Sequence, residues 1–141
     1  MITNFIDLGL PSGRLWAAEN EPGYHQFDEA VKTFGKMLPT IKAWKELFNH
    51  CSHKWDDDRK GVVLTGRNGN SIFLPANGYQ RWSIENKRLN VVDVAGEGYY
   101  WSSSPYSVRL ARGVYIDSVS VNPWYLYYRR NAHSVRLCKS K

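Results

Sequence analysis

Apolar residues recur along this chain in two rhythms. In residues 26–34, Phe27, Val31 and Phe34 fall at spacings of three and four, which predicts a helix with that face inward. Gly35 stands where a helix end favours a residue free to take positive φ. Pro39 closes that segment, and Thr40 offers a side-chain oxygen to cap the next. Ile41, Trp44, Leu47, Phe48 and Cys51 then follow at spacings of three and four, an amphipathic helix of about three turns. Helices are therefore expected near 26–36 and 40–51.

The remaining apolar runs have the texture of strands. FIDLGLPSGRLWAAEN reads as two short extended pieces around the turn cluster Pro11-Ser12-Gly13. Residues 56–60, three Asp followed by Arg and Lys, form a solvated loop. Residues 62–65 and 71–74 flank Asn68-Gly69, a pair that tolerates positive φ and predicts a tight hairpin. After Gly98 come GYYWSSSPY, ARGVYIDSVSVNP, WYLYYRR and HSVRLCK, short β-type runs separated by Ser, Pro, Gly and Asn. An early helical half followed by a meander predicts an α+β fold, its β region largely antiparallel and in the C-terminal half. Trp16, Trp44 and Trp101 are expected in the core.

The chain has 141 residues, 43% hydrophobic and 23% charged, the usage of one globular domain spanning 1–141 and not of a disordered or fibrous chain. Two cysteines, Cys51 and Cys138, are too few for a disulfide framework, although one bridge between them stays open. The opening MITNFIDLGLPSG lacks the basic and apolar regions of a secretory signal. No apolar run is long enough to insert into a membrane.

Charge changes the picture once it is divided. Residues 1–98 carry twelve basic and twelve acidic side chains. Residues 99–141 carry seven basic side chains against the single acid Asp117, and seven of the nine tyrosines. The whole net charge of +6 therefore lies in the final third, the mark of an interacting segment. Tyr, Trp, Arg, Ser and Asn are also the residues of paratopes, rigid aromatics beside adaptable donors. One carboxylate cannot pair with four or more arginines, so most of them are expected to face water or a ligand. Trp124, Tyr125, Tyr127, Tyr128, Arg109, Arg112, Tyr115 and Arg130 are accordingly expected on one contiguous solvent-facing patch. Trp124 and Tyr127 should then contribute little to the core. The alternative, tyrosines buried with satisfied hydroxyls, applies first to Tyr99, Tyr100 and Trp101 in their uncharged stretch.

FIDLGLPSGRLWA, LPTIKAWKELF, NGNSIFLPANGY, GYYWSSSPY and VNP…R…HSVRL follow one another in an order that resembles the variable proteins of diversity-generating retroelements. These are C-type-lectin-fold proteins of the branch related to formylglycine-generating enzymes, and the similarity spans nearly the whole chain. The resemblance implies a C-type-lectin-like fold that brings its termini together, the N-terminal strand pairing with the C-terminal SVRLC strand. It implies a scaffold over 1–98 and a variable, ligand-binding region over 99–137. Framework positions would be Tyr100, Trp101, Ser102, Ser103, Ser104, Val121, Asn122, Pro123, Arg129 and residues 134–137. Diversified, ligand-contacting positions would be Val108, Arg109, Arg112, Gly113, Tyr115, Asp117, Trp124, Tyr125, Leu126, Tyr127, Tyr128, Arg130 and Asn131. Ala132 and His133 depart from the Gly and aromatic that relatives often carry. The implied partner is a macromolecule, a protein or cell-surface receptor, met at a phage tail or a bacterial cell surface as part of a larger assembly.

Enzyme and metal chemistry find little purchase. The cysteine pair of the enzyme relatives lies near the C-terminus, whereas Cys51 sits on an apolar helix face, so both thiols read as structural and oxidoreductase activity as a distant alternative. His50-Cys51-Ser52-His53 has no tetrahedral zinc spacing. Trp55-Asp56-Asp57 and Val121-Asn122-Pro123 echo the calcium motifs of sugar-binding lectins, but Val121 stands where a hard ligand is needed. No metal or other cofactor is expected. His25 and His133 are isolated, each a surface or capped histidine. A basic tail with interleaved aromatics also suits single-stranded nucleic acid, but no Lys/Arg groove or motif supports it, and a ligand-binding protein without catalysis is the expected function.

Overall fold

Helix α1 (Phe27–Phe34) and helix α2 (Ile41–His50) form where the apolar spacing predicts them. The computed structural model describes residues 4–92 and 95–141. The Thr40 hydroxyl accepts a hydrogen bond from the Ala43 amide at 3.1 Å, satisfying one donor of the first turn of α2. Ile41, Trp44, Leu47, Phe48 and Cys51 are all buried. On α1 the buried residues are Phe27 and Ala30, while Val31 is exposed, because the short helix turns its Ala30 side against Trp101 and Leu137. Gly35 takes φ +53° and opens a 3-10 turn toward Pro39.

Thirteen strands are numbered in chain order, and every ladder among the described residues is antiparallel. β1 (Phe5–Asp7), β2 (Leu15–Ala17) and β13 (Cys138–Lys139) form one sheet in that order, with Cys138 opposite Trp16. The N-terminal and C-terminal segments thus close on one another. A second sheet runs β4 (Ser52–Asp56), β5 (Gly61–Thr65), β6 (Ser71–Pro75). A third runs β3 (His25–Gln26), β12 (Ala132–His133), β7 (Tyr79–Ser83), β8 (Arg88–Val92). The fourth runs β11 (Val121–Tyr128), β10 (Leu110–Ile116), β9 (Gly98–Pro105). The α+β class holds, but the β region is not confined to the C-terminal half, since β4 to β8 precede Gly98. β4, β7 and β8 carry few buried side chains on either face, so they lack the alternation that betrays a half-buried strand.

The Asn68-Gly69 hairpin forms with a longer connection than a two-residue turn. Thr65 pairs with Ser71, Gly69 alone takes positive φ, at +88°, and the Gly66 amide donates to the Asn70 carbonyl. Gly66 is fixed by packing, because a Cβ there would fall on the carbonyl of Leu8.

Two buried clusters divide the interior. The first joins Trp16, Trp44, Leu47, Phe48, Leu64, Leu74, Tyr100, Val114 and Ile116. The second joins Phe27, Leu38, Trp101, Ala111, Val135 and Leu137. Adjacent residues of β9 separate them, Tyr100 pointing into one and Trp101 into the other, as strand alternation requires. Trp16, Trp44 and Trp101 are each wholly buried. Trp44 touches Trp16, Phe48 and Tyr100, and its ring N–H donates to the Trp101 carbonyl at 3.3 Å. Trp44→Ala should cost about 3–5 kcal/mol in denaturant unfolding, the range for large core truncations.

Candidate functional site

Strand β11 lies at the edge of its sheet, and its register with β10 decides where each tail residue points. Tyr128 lies opposite Leu110, Tyr127 opposite Ala111, Leu126 opposite Arg112, and Tyr125 opposite Gly113. Cross-strand partners share a face, so Trp124, Leu126, Tyr128 and Arg112 lie on one side and Tyr125 and Tyr127 on the other. The predicted single patch is thereby split, because consecutive bulky residues in a strand must alternate.

On the first face Trp124, Leu126 and Tyr128 are exposed. The Lys45 ammonium of α2 lies over the Trp124 ring at 3.1 Å from its centroid, and the Arg112 guanidinium over Tyr106 at 5.1 Å. Between α2 and β11 a groove of about 440 Å³ is lined by Lys45, Phe48, Asn49, His53, Pro123 and Trp124.

On the second face four tyrosines close a circuit. Ring centroids lie 5.4 Å apart for Tyr99–Tyr115, 5.2 Å for Tyr115–Tyr125, 5.9 Å for Tyr125–Tyr127 and 5.6 Å for Tyr127–Tyr99. Tyr125 is 44% exposed, whereas Tyr99, Tyr115 and Tyr127 are half-buried. Tyr127 is therefore not a surface residue: it packs on the second core and donates its hydroxyl to the Val114 carbonyl at 3.2 Å. Burial pushes that hydroxyl far above the usual phenol range, with the neighbouring Tyr99 adding to the effect. Tyr99 and Tyr115 shift the same way, first by burial and then through carboxylates at their hydroxyls.

The other candidates separate into contacts and supports. Val108, Arg109 and Arg130 are exposed, Arg130 with its guanidinium 5.5 Å from the Trp82 ring. Asp117 accepts the amides of Val119 and Ser120 at 2.8 Å each, and Asn131 accepts that of Trp82 at 3.0 Å. Burial raises the Asp117 carboxyl, but those amides and the Tyr115 hydroxyl outweigh it and hold the group below its ordinary value. Gly113 is buried, and a Cβ there would lie 2.6 Å from the Tyr100 carbonyl oxygen and 2.7 Å from the Tyr127 ring. No side chain at 113 can reach a ligand while that pairing stands.

The arginine argument needs a correction too. Arg136 is 1% exposed without any carboxylate partner, because carbonyl oxygens serve it instead. Arg129 pairs with Asp28 across the fold at 3.3 Å. Of the tail arginines expected for the most part to face water or a ligand, Arg109 and Arg130 are exposed, Arg112 and Arg129 half-buried, and Arg136 buried.

His133 is a second correction. Far from the surface, it is wholly buried among Trp101, Tyr127, Tyr79 and Tyr99, at centroid distances of 4.4, 4.5, 5.3 and 5.6 Å. Among the described residues neither ring nitrogen has a hydrogen-bond partner. A two-residue strand gives no periodic signal that could have placed it. Cys51 and Cys138 are both free and buried. Burial pushes the Cys138 thiol up to about 11 against the opposing pull of Arg14, so the reactive thiolate is disfavoured. His50 ends α2 and His53 lies on β4, and among the described residues no three His, Cys, Asp or Glu side chains converge. Asp56 and Asp57 are taken up by Arg59 and Lys60 in their turn.

No family profile, curated protein or solved structure matches this chain.

Two measurements check that geometry. Trp124→Ala with Tyr128→Ala should leave the unfolding midpoint nearly unchanged, as exposed substitutions do. Tyr127→Ala should instead destabilise by about 2 kcal/mol or more through lost burial. For His133, burial lowers the imidazole from 6.5 to about 3. The unfolded chain then binds one more proton than the folded one between those values, so stability present above pH 6.5 is lost as pH falls toward 3. The slope should approach about 1.4 kcal/mol per pH unit, and His133→Phe should flatten it in pH-dependent denaturation.

Proposed function

We propose that this chain is a variable, ligand-binding protein of the diversity-generating-retroelement type, built on a C-type-lectin-like fold. The observation that carries the reading is how burial sorts the tail. Not one of the framework positions, Tyr100, Trp101, Ser102, Ser103, Ser104, Val121, Asn122, Pro123, Arg129 and residues 134–137, is exposed. Of the candidate diversified positions, Val108, Arg109, Trp124, Tyr125, Leu126, Tyr128 and Arg130 are exposed, and only Gly113 is buried. A surface meant to accept many side chains needs this separation, because core changes cost stability and exposed ones rarely do.

Further support comes from the closure of β2 on β13 and from two helices packed beside antiparallel sheets. Ligand contact on this reading is made by the β10–β11 ribbon and the turns at its ends. Aromatic anchors and arginines suit a protein partner, where such residues dominate binding energy. The partner is a protein or cell-surface receptor, and the place of action a phage tail or bacterial surface. Among the described residues no helix is long and apolar enough to cross a membrane.

The coding locus tests this. A reverse-transcriptase gene should lie close by, with a near-repeat of the coding sequence for residues 99–137 that differs at adenines in the codons of the exposed candidates. Absence of such a repeat, or differences confined to codons of buried residues, would remove the reading.

A further inference from the structure

Two carboxylates meet the tyrosine circuit with no cation beside them. The Tyr115 hydroxyl lies 3.2 Å from Glu97 Oε2 and 3.1 Å from Asp117 Oδ2. One phenolic proton can serve only one of these anions. Glu97 Oε1 accepts the Tyr99 hydroxyl at 2.9 Å, and both acids are half-buried. Among the described residues neither forms an ion pair. Arg81 donates to the Tyr79 hydroxyl at 3.3 Å, and among the described residues it forms no ion pair. Packed into the floor of the same cluster is His133, wholly buried, with both ring nitrogens unpartnered. As a neutral imidazole it brings no positive charge and leaves one more acceptor without a donor.

We propose that this tyrosine–carboxylate cluster seats the guanidinium of an arginine side chain from a protein ligand. The proposal rests on reading this sheet as a ligand-binding surface, and it adds Glu97 and Tyr99 to the contacts. A guanidinium carries five donors in a planar fork, so it can serve both carboxylates at once and lie against the exposed Tyr125 ring. A divalent ion fits less well, since two carboxylates fall short of the six to eight oxygens calcium takes. In a chain of net charge +6, this is a place that attracts a cation where the rest of the tail repels one. The other face of the same strand, with Lys45 and Arg112, has the opposite preference.

The test is a titration with N-acetyl-L-arginine amide, which has one positive charge and no carboxylate, followed by the ring resonances of Tyr99, Tyr115 and Tyr125. Saturable shifts at those rings are expected, with the neutral N-acetyl-L-citrulline amide at least roughly tenfold weaker. Glu97→Gln and Asp117→Asn keep the shape and remove the charge, and each should weaken binding about tenfold, the value of one charge-assisted hydrogen bond. Tyr125→Ser, at an exposed ring, gives an independent loss should either amide variant unfold. Equal binding of citrulline, undiminished binding in both amide variants, lysine amide binding as tightly as arginine, or shifts at other rings would each overturn the assignment. Failure here leaves the coding-locus evidence for a diversified surface untouched. A locus without the repeat would leave a measured arginine site standing.

Discussion

Arg136 is the point on which three distant parts of the chain are tied. Its guanidinium is buried without a counter-ion, and three oxygens take its donors: Asn20 Oδ1 at 2.8 Å, the Ala17 carbonyl at 3.1 Å and the Phe73 carbonyl. Burial alone would lower its basicity, and the nearby Tyr100 and Glu19 act against that. An uncompensated buried charge costs about 3–5 kcal/mol, so the segment after β2, strand β6 and the residues before β13 must stay where these oxygens converge. With that segment fixed, Ser134 bridges β9, its carbonyl taking the Trp101 amide and its amide the Tyr99 carbonyl. Tyr100 and Trp101 are then set into their two cores, and β10 and β11 are hung on β9 in a defined register. The β10–β11 ribbon inherits its position from a buried charge.

Legibility in the sequence followed packing. Helix α2 and the three buried tryptophans could be read because each apolar side chain has one face to fill, and spacing reports that face directly. Val31 misled, since in an eight-residue helix a small Ala30 reached the core as readily as a larger neighbour. The β7–β8 hairpin left no trace at all. Its strands bury little on either side, so Tyr79, Arg81, Arg88 and Val91 read as ordinary polar sequence. What holds them in strand is backbone pairing, which side-chain pattern does not encode.

The tail was legible as a composition but not as a geometry. Composition located the aromatics and arginines correctly, and it could not say which tyrosines turn inward. Tyr125 and Tyr127 share a face, yet one is exposed and the other completes the core beside Trp101, a difference set by what lies under each. The arginine count was blind to Arg136 for a similar reason. Carboxylates can be tallied along a sequence, whereas the carbonyl oxygens that satisfy Arg136 exist only once Ala17 and Phe73 have been brought to it. Glu97 escaped notice because it lies in the scaffold segment, two residues before the tyrosine it binds.

An exposed edge strand as aromatic as β11 is a hazard, since unpaired amides and carbonyls beside Trp, Tyr and Leu invite another strand. The chain blunts this edge at its entry. Pro123 has no amide to offer, and the Asn122 side chain accepts the Trp124 amide at 2.8 Å, so neither position in this stretch has a free backbone donor for an incoming strand. The pairing with β10 also slips between Gly113 and Tyr115, a bulge that bends the ribbon and interrupts a flat template. Arg129 closes the other end by sending its amide to the Arg109 carbonyl and its guanidinium to the Leu110 carbonyl and Asp28. These protections come from Asn122, Pro123 and Arg129, which the proposed reading places in the framework, and from backbone geometry. None depends on the side chains of Trp124, Tyr125, Leu126 or Tyr128. Those four can therefore change without opening the edge, which is the physical condition for placing variation on a strand at all.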